Sequence, residues 1–264
     1  MSRWFLKSVG LGALSLLAWS AQAIPILPVQ NLTFSSYTGG PPKDLFSYVD
    51  PVGWTGGTGL ISIDAPGTAT MPGNGSPGRN AYPVYGPFSN PPPGGNFIQA
   101  DGNPDFETSF NQTITGLTAG TEYSLSFWQA AGQQTGFSGQ TTEEWLVFFG
   151  NDGFTVNCGS NPCTAAPVGT TQEDISTLMT TPSEGVIGWN EVTMNFTADA
   201  PSDVLSFLAW GDNGNTTNLP PTVFLAGVNT PAHAPEPASL SLLAVALLGL
   251  GAGRLRRPGK RTED

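Results

Sequence analysis

The stretch Gln112-Thr113-Ile114-Thr115-Gly116-Leu117-Thr118-Ala119-Gly120-Thr121-Glu122-Tyr123-Ser124-Leu125-Ser126-Phe127-Trp128 decides the fold class. In its second half Tyr123, Leu125 and Phe127 alternate with Ser124 and Ser126. A period of two is that of a strand with one apolar face. Trp128 falls on the face of the serines, so the same pattern sets it toward solvent. The glycines at 116 and 120 bracket a turn before the strand. Working outward, Val192, Met194 and Phe196 alternate with Glu191, Thr193 and Asn195 in the same way. Trp145-Leu146-Val147-Phe148-Phe149 reads as a strand buried on both faces, and residues 204–210 and 223–228 as near-continuous apolar strands. Turns such as Gly211-Asp212-Asn213-Gly214 separate them. Helical periodicity is hard to find between residues 24 and 234, so the expected fold there is all-β, a single antiparallel β-sandwich.

The N-terminal third of that region is built differently. Residues 24–95 hold 13 Pro and 13 Gly. Only short strands fit, near residues 32–34, 60–63 and 96–100, because Pro removes ladder donors and Gly weakens strands. Residues 66–95 read as one long loop, either covering part of the sandwich or standing off it as an arm. Cys158 and Cys163 are the only cysteines. Two cysteines flanking a short turn in an exported chain most simply form one disulfide, which is expected to pin a surface loop.

Charge is sparse and unevenly placed. Only 11% of the 264 residues are charged, with 9 Lys+Arg against 20 Asp+Glu and a net charge of −11. The cations Arg3, Lys7, Arg254, Arg256, Arg257, Lys260 and Arg261 sit at the two ends, which leaves residues 24–234 with seventeen acids against Lys43 and Arg79 alone. Nucleic-acid binding is excluded by that balance, because phosphate backbones need clustered cations. An anionic polysaccharide is equally disfavoured unless a cation bridges it.

The ends read as addresses. Residues 1–23 carry Arg3 and Lys7, an apolar run from Val9 to Trp19, and Ala21-Gln22-Ala23. That is the pattern of a secretory signal peptide with an N-terminal signal helix, cleaved before Ile24. At the other end Pro235-Glu236-Pro237 precedes an uncharged run at 238–253, followed at once by Arg254, Arg256 and Arg257. As a helix the run spans roughly 24 Å, a short transmembrane helix whose arginines mark the cytoplasmic side and stop the anchor. The triplet, the Leu/Ala/Gly helix and the Arg-rich terminus together resemble the PEP-CTERM sorting signal of Gram-negative bacteria. That resemblance implies recognition of Pro235, Glu236 and Pro237 by an exosortase-type processing enzyme. It also implies an association with exopolysaccharide. An uncleaved tail anchor is the competing reading. The expected organisation is therefore 1–23 signal peptide, 24–234 ectodomain and 235–264 sorting signal.

Three chemistries are weighed for the ectodomain. Catalysis finds little support, since there is no G-x-S-x-G elbow or H-E-x-x-H and the single histidine, His233, lies in a Pro-rich linker. Paired carboxylates such as Glu143-Glu144 keep a glycan-processing enzyme as the least favoured alternative. Glycan binding draws on aromatic rings for sugar stacking and on amides and carboxylates for hydroxyls. The candidate contacts are Trp54, in the loop Gly53-Trp54-Thr55-Gly56-Gly57, and Trp128, together with Gln133 and Gln134. Core packing is the competing explanation for each tryptophan. For metal, Asp101-Gly102-Asn103-Pro104-Asp105 sets Asp101, Asn103 and Asp105 at alternate positions of a tight turn, which suits Ca²⁺, with plain turn formation as the competing explanation.

A second resemblance covers most of 31–229. Asn31, Phe34 and Gly53-Trp54, the run from Gln99 through Phe127, and the strands Leu205-Ser206-Phe207 and Pro221-Thr222-Val223-Phe224-Leu225 resemble galactose-binding-like jelly-roll domains. It implies a jelly-roll sandwich, a binding function and a structural Ca²⁺. The final strand, Leu225-Ala226-Gly227-Val228, departs from the pattern by lacking an Asp-Asn pair. The expectation is an exported, non-catalytic protein. It is anchored transiently in the inner membrane and then placed on the surface or in the extracellular matrix, in association with polysaccharide. A purely structural matrix component without a pocket is the alternative.

Overall fold

A computed structural model describes residues 23–36, 50–56, 59–71, 82–159, 161–217 and 219–230. The expected signal peptide, sorting triplet, transmembrane helix and basic tail lie outside these residues. In chain order the strands are β1 (Thr55–Gly56), β2 (Ile61–Asp64), β3 (Phe97–Asp101) and β4 (Ser109–Thr115). Then come β5 (Glu122–Gln133), β6 (Thr141–Gly150), β7 (Phe154–Asn157), β8 (Thr164–Pro167) and β9 (Gln172–Ile175). The last are β10 (Met179–Thr181), β11 (Val186–Thr197), β12 (Ser202–Gly211) and β13 (Pro221–Ala226). Among the described residues only two short 3-10 turns are helical, and no helix is long and apolar enough to cross a membrane.

Two antiparallel sheets face each other. The five-stranded sheet runs β11-β5-β13-β3-β2, and the six-stranded sheet runs β1-β4-β12-β6-β10 with β9 also on β6. The serine-alternating strand that decides the sequence reading is β5. It pairs with β11 so that Phe127 opposes Val192 and Leu125 opposes Met194. Their apolar rows point inward with Val223 and Leu225 of β13 and Ile98 and Ala100 of β3. Phe110, Trp145, Val147, Phe149, Leu205 and Phe207 of the other sheet meet them. Phe207 is the hub: its ring stacks on Phe110 at 5.5 Å and meets Phe127 and Trp145 edge-on at 5.2 and 5.9 Å. Such aromatic contacts add to the apolar burial that holds the layers together.

Several expectations meet corrections. Residues 32–34 form a turn, closed by Phe34 N donating to Asn31 O at 3.1 Å with Asn31 and Phe34 both at positive φ. The described part of the 66–95 loop lies across the outside of the five-stranded sheet. There Ala69, Val84 and Phe88 pack on Phe97, Phe224 and Ala130. The disulfide Cys158–Cys163 is formed. It pins more than a surface loop, because Cys163 is buried against Leu146, Phe148, Leu208 and Trp210 on the outside of the six-stranded sheet. The β7–β8 hairpin covers the same patch, with Phe154 stacked on Phe148 at 4.5 Å.

Candidate functional site

Strand pairing assembles a groove on the outer face of the five-stranded sheet. Ser124, Ser126 and Trp128 project outward from β5, and β11 sets Asn195, Thr193 and Glu191 directly opposite them. The result is a groove of about 370 Å³ lined by Ser124, Ser126, Glu191, Thr193, Asn229 and Ile26. Asn229 fixes its inner wall. It sits at a φ of 53°, which Asn tolerates better than most residues, and its Oδ1 accepts from Ser126 N at 2.8 Å. Its Nδ2 donates to Leu27 O at 2.6 Å, tying the N-terminal segment to the sheet. Ile26, 67% exposed, makes the opposite lip.

Trp128 is the cross-strand partner of Glu191, next after Ser126 on the outward face of β5. It is half-buried beside Trp189, Phe88 and Phe224, and its indole N–H is buried from solvent without a hydrogen-bond partner. Trp189, by contrast, donates to Ser89 O at 2.8 Å. The hydroxyls and the one carboxylate of the groove are groups that bind a sugar ring by hydrogen bonding, with the apolar Ile26 beside them.

The other named residues are placed as follows. Trp54 is 3% exposed and belongs to the core, its ring 4.9 Å from Phe110 and 5.5 Å from Phe34. Its indole donates to Gln30 O at 3.1 Å, so a loop position in sequence is an interior position in space. Gln133 is also buried. It accepts from Glu184 N at 2.6 Å and donates to Gly139 O at 2.8 Å, which makes it a clamp between loops and not a surface amide. Gln134 is half-buried and bridges to Val84. It lies six strand residues from Trp128, about 20 Å along the chain, so the two do not share one sugar. Sequence reading missed Asn229, which no pattern marks, and Glu191 with Thr193. The alternation of the latter was visible, but their pairing with Ser126 and Trp128 was not.

Asp101, Asn103 and Asp105 fall in one turn. Asp101 Oδ1 accepts from Asn103 N at 2.8 Å and Asn103 Oδ1 from Asp105 N at 3.0 Å, while Asp105 is exposed. The side chains serve the backbone in successive Asx turns. Among the described residues no group of three or more His, Cys, Asp or Glu is placed to hold a metal ion.

A second cleft, about 270 Å³, lies at the end of the sandwich and is lined by Gln140, Thr141, Thr142, Asp212, Asn213, Asn215, Thr217 and Leu219. Glu143 sits behind it, fully buried, its carboxylate accepting from the hydroxyls of Thr141 and Thr181. Burial pushes its pKa up to about 7 despite those bonds, with the nearby Asp212 adding to the rise.

The outer face also carries a run of unpartnered buried oxygens: Asp64 Oδ2, Tyr82 OH, Gln99 Oε1, Asp101 Oδ2 and Thr222 Oγ1. Left dry, each would cost about 1–3 kcal/mol.

Comparison with known proteins assigns no family. No family model matches the chain, and no curated protein matches it. Among solved structures it is similar to the module TmCBM61 in complex with β-1,4-galactotriose, at 10% identity over 76% of this chain and 94% of that one, TM-score 0.35. It is similar to the CBM22-2 xylan-binding domain of Xyn10C from Paenibacillus barcinonensis, at 10% identity over 72% and 96%, TM-score 0.37. A third is the K1 cleaved adhesin domain of Lys-gingipain from Porphyromonas gingivalis, at 11% identity over 74% and 93%, TM-score 0.35. At these identities they give no residue of this chain a role.

Proposed function

We propose that this chain is an exported, non-catalytic surface or matrix protein whose sandwich binds a neutral polysaccharide along the outside of its five-stranded sheet. The observation that carries the reading is the groove between β5 and β11. Ser124, Ser126 and Thr193 line it with hydroxyls and Glu191 adds a carboxylate, and the half-buried Trp128 follows in the same outward row of β5. Seventeen acids against Lys43 and Arg79 in residues 24–234 favour a neutral glycan over an anionic one. Export and sorting rest on the sequence: residues 1–23 serve as signal peptide, the 238–253 helix as a transient inner-membrane anchor, and Pro235-Glu236-Pro237 as the site read by an exosortase-type enzyme.

Affinity electrophoresis of the purified chain through gels containing neutral or anionic polysaccharides tests the binding. Retardation by a neutral glycan that disappears in Trp128→Ala and in Ser126→Ala/Thr193→Ala is expected. Migration unaffected by every glycan would leave the purely structural matrix role in its place. Mass spectrometry of the native C-terminus tests the sorting, which predicts a terminus near Pro235–Pro237 and is contradicted by an intact Asp264.

A further inference from the structure

β11 is the outermost strand of the five-stranded sheet and pairs with β5 on one side only. Its free side is closed off at both ends. At one end the register slips between Ile187 and Asn190, a bulge that interrupts regular pairing. At the other the side chain of Gln172 occupies the backbone of Thr197. Its Oε1 accepts from Thr197 N at 2.9 Å and its Nε2 donates to Thr197 O at 2.5 Å.

Those two bonds also fix which groups face outward. Successive residues of an antiparallel strand turn their N–H and C=O to alternate sides. With Thr197 directed away from β5, Asn195, Thr193 and Glu191 are directed away as well. None of the three has a backbone partner on that side among the described residues, and all three side chains are exposed. The stretch between bulge and clamp, Glu191-Val192-Thr193-Met194-Asn195, holds no Lys or Pro to blunt it. An open edge of this kind is a template for another strand.

The window is its own complement. Its centre is Thr193, so an antiparallel copy of the same five residues fills it from end to end. That register sets Thr193 against Thr193, and Glu191 against Asn195 of the second copy, so no carboxylate meets a carboxylate. It forms about six backbone hydrogen bonds. Val192 falls beside Met194 of the second copy, extending the buried inner row.

We propose that β11 pairs with β11 of a second copy about a two-fold axis at Thr193, joining the two five-stranded sheets into one. The β5–β11 grooves of both copies then lie side by side on its outer face. The pairing needs no glycan and stands or falls apart from glycan binding. Five residues a side bury less than the roughly 1,200 Å² of a permanent interface, so the dimer forms reversibly. Each copy is also strongly acidic, with seventeen acids against Lys43 and Arg79 in residues 24–234. Salt screens that repulsion and strengthens the pairing.

Sedimentation equilibrium of the purified chain up to about 1 mM, in about 0.02 and 0.5 M NaCl, reads the association. A monomer–dimer equilibrium that tightens at the higher salt is expected. Asn195→Lys, which sets a cation opposite Glu191 twice per dimer, should tighten it by about fivefold, and Asn195→Asp should weaken it by a similar factor. Thr193→Pro, which removes an outward N–H and leaves the ladder to β5 intact, should abolish it. A chain that stays monomeric at every concentration and salt overturns the proposal. So does a dimer that ignores the charge at position 195 or survives Thr193→Pro. If Thr193→Pro does not fold, the two variants of exposed Asn195 decide the matter by their opposite signs.

Discussion

Replacing Glu143 by Gln should make the protein more stable at alkaline pH and should remove part of its pH dependence. Glu143 is fully buried in β6, and both carboxylate oxygens accept hydroxyl bonds, from Thr141 and from Thr181 of β10. Its pKa rises from 4.5 to about 7, chiefly through burial. A raised carboxylate pKa means that the folded state holds the proton more tightly than the unfolded chain. Stability therefore falls as pH climbs from 4.5 toward 7, and above that range the loss is complete. A rise of that size corresponds to about 3 kcal/mol, a large share of the 5–15 kcal/mol that usually holds a domain together. Glutamine is neutral and nearly the same shape. It can accept from one threonine hydroxyl and donate to the other, so the variant should gain about 3 kcal/mol over the unaltered protein at about pH 8.5. Below pH 4.5 the gain should vanish. Urea unfolding of both proteins across this range measures the difference directly, and subtraction cancels the contributions of the other buried acids. Parallel curves, or a variant that is weaker at alkaline pH, would refute the reasoning.

Four further variants test the packing. Trp54→Ala should cost about 3–5 kcal/mol, whereas half-buried Trp128→Ala should cost about 1–2 kcal/mol, both read by denaturant unfolding. Gly102→Ala sets a methyl 2.9 Å from the backbone carbon of Trp210 and 3.1 Å from Pro221 O, so the unfolding midpoint should fall by an amount worth about 1–3 kcal/mol. Changing Cys158 and Cys163 together to Ala should cost about 2 kcal/mol on loop entropy, and it should raise protease sensitivity in the β7–β8 hairpin, which packs on the same patch.

Strands with a single buried face were the most legible part of the chain. Tyr123, Leu125 and Phe127, like Val192, Met194 and Phe196, display the face they bury because local alternation is enough. Trp145 through Phe149 read correctly as buried on both faces, because β6 carries the core within and the hairpin patch without. What failed to show depends on partners distant in sequence. Trp54 looks like a loop residue until Phe34, Phe110 and Phe207 surround it. Gln133 looks like a surface amide until Glu184 N, across a separate loop, donates to it. The groove is a product of register: Thr193 meets Ser126 and Glu191 meets Trp128 only once β11 pairs with β5. A Pro- and Gly-rich segment gives no periodicity, so its place across the outer sheet face is set by Val84 and Phe88 finding Phe224 and Phe97.

Glycan binding in the β5–β11 groove is the central claim, and it is tested most directly by titrating the isotope-labelled protein with a neutral oligosaccharide while recording backbone and indole amide spectra. The account predicts shifts confined to Ser124, Ser126, Trp128, Glu191, Thr193 and Asn229. Shifts gathered instead at Thr142, Asp212 and Thr217, or no shift at saturating glycan, would contradict it.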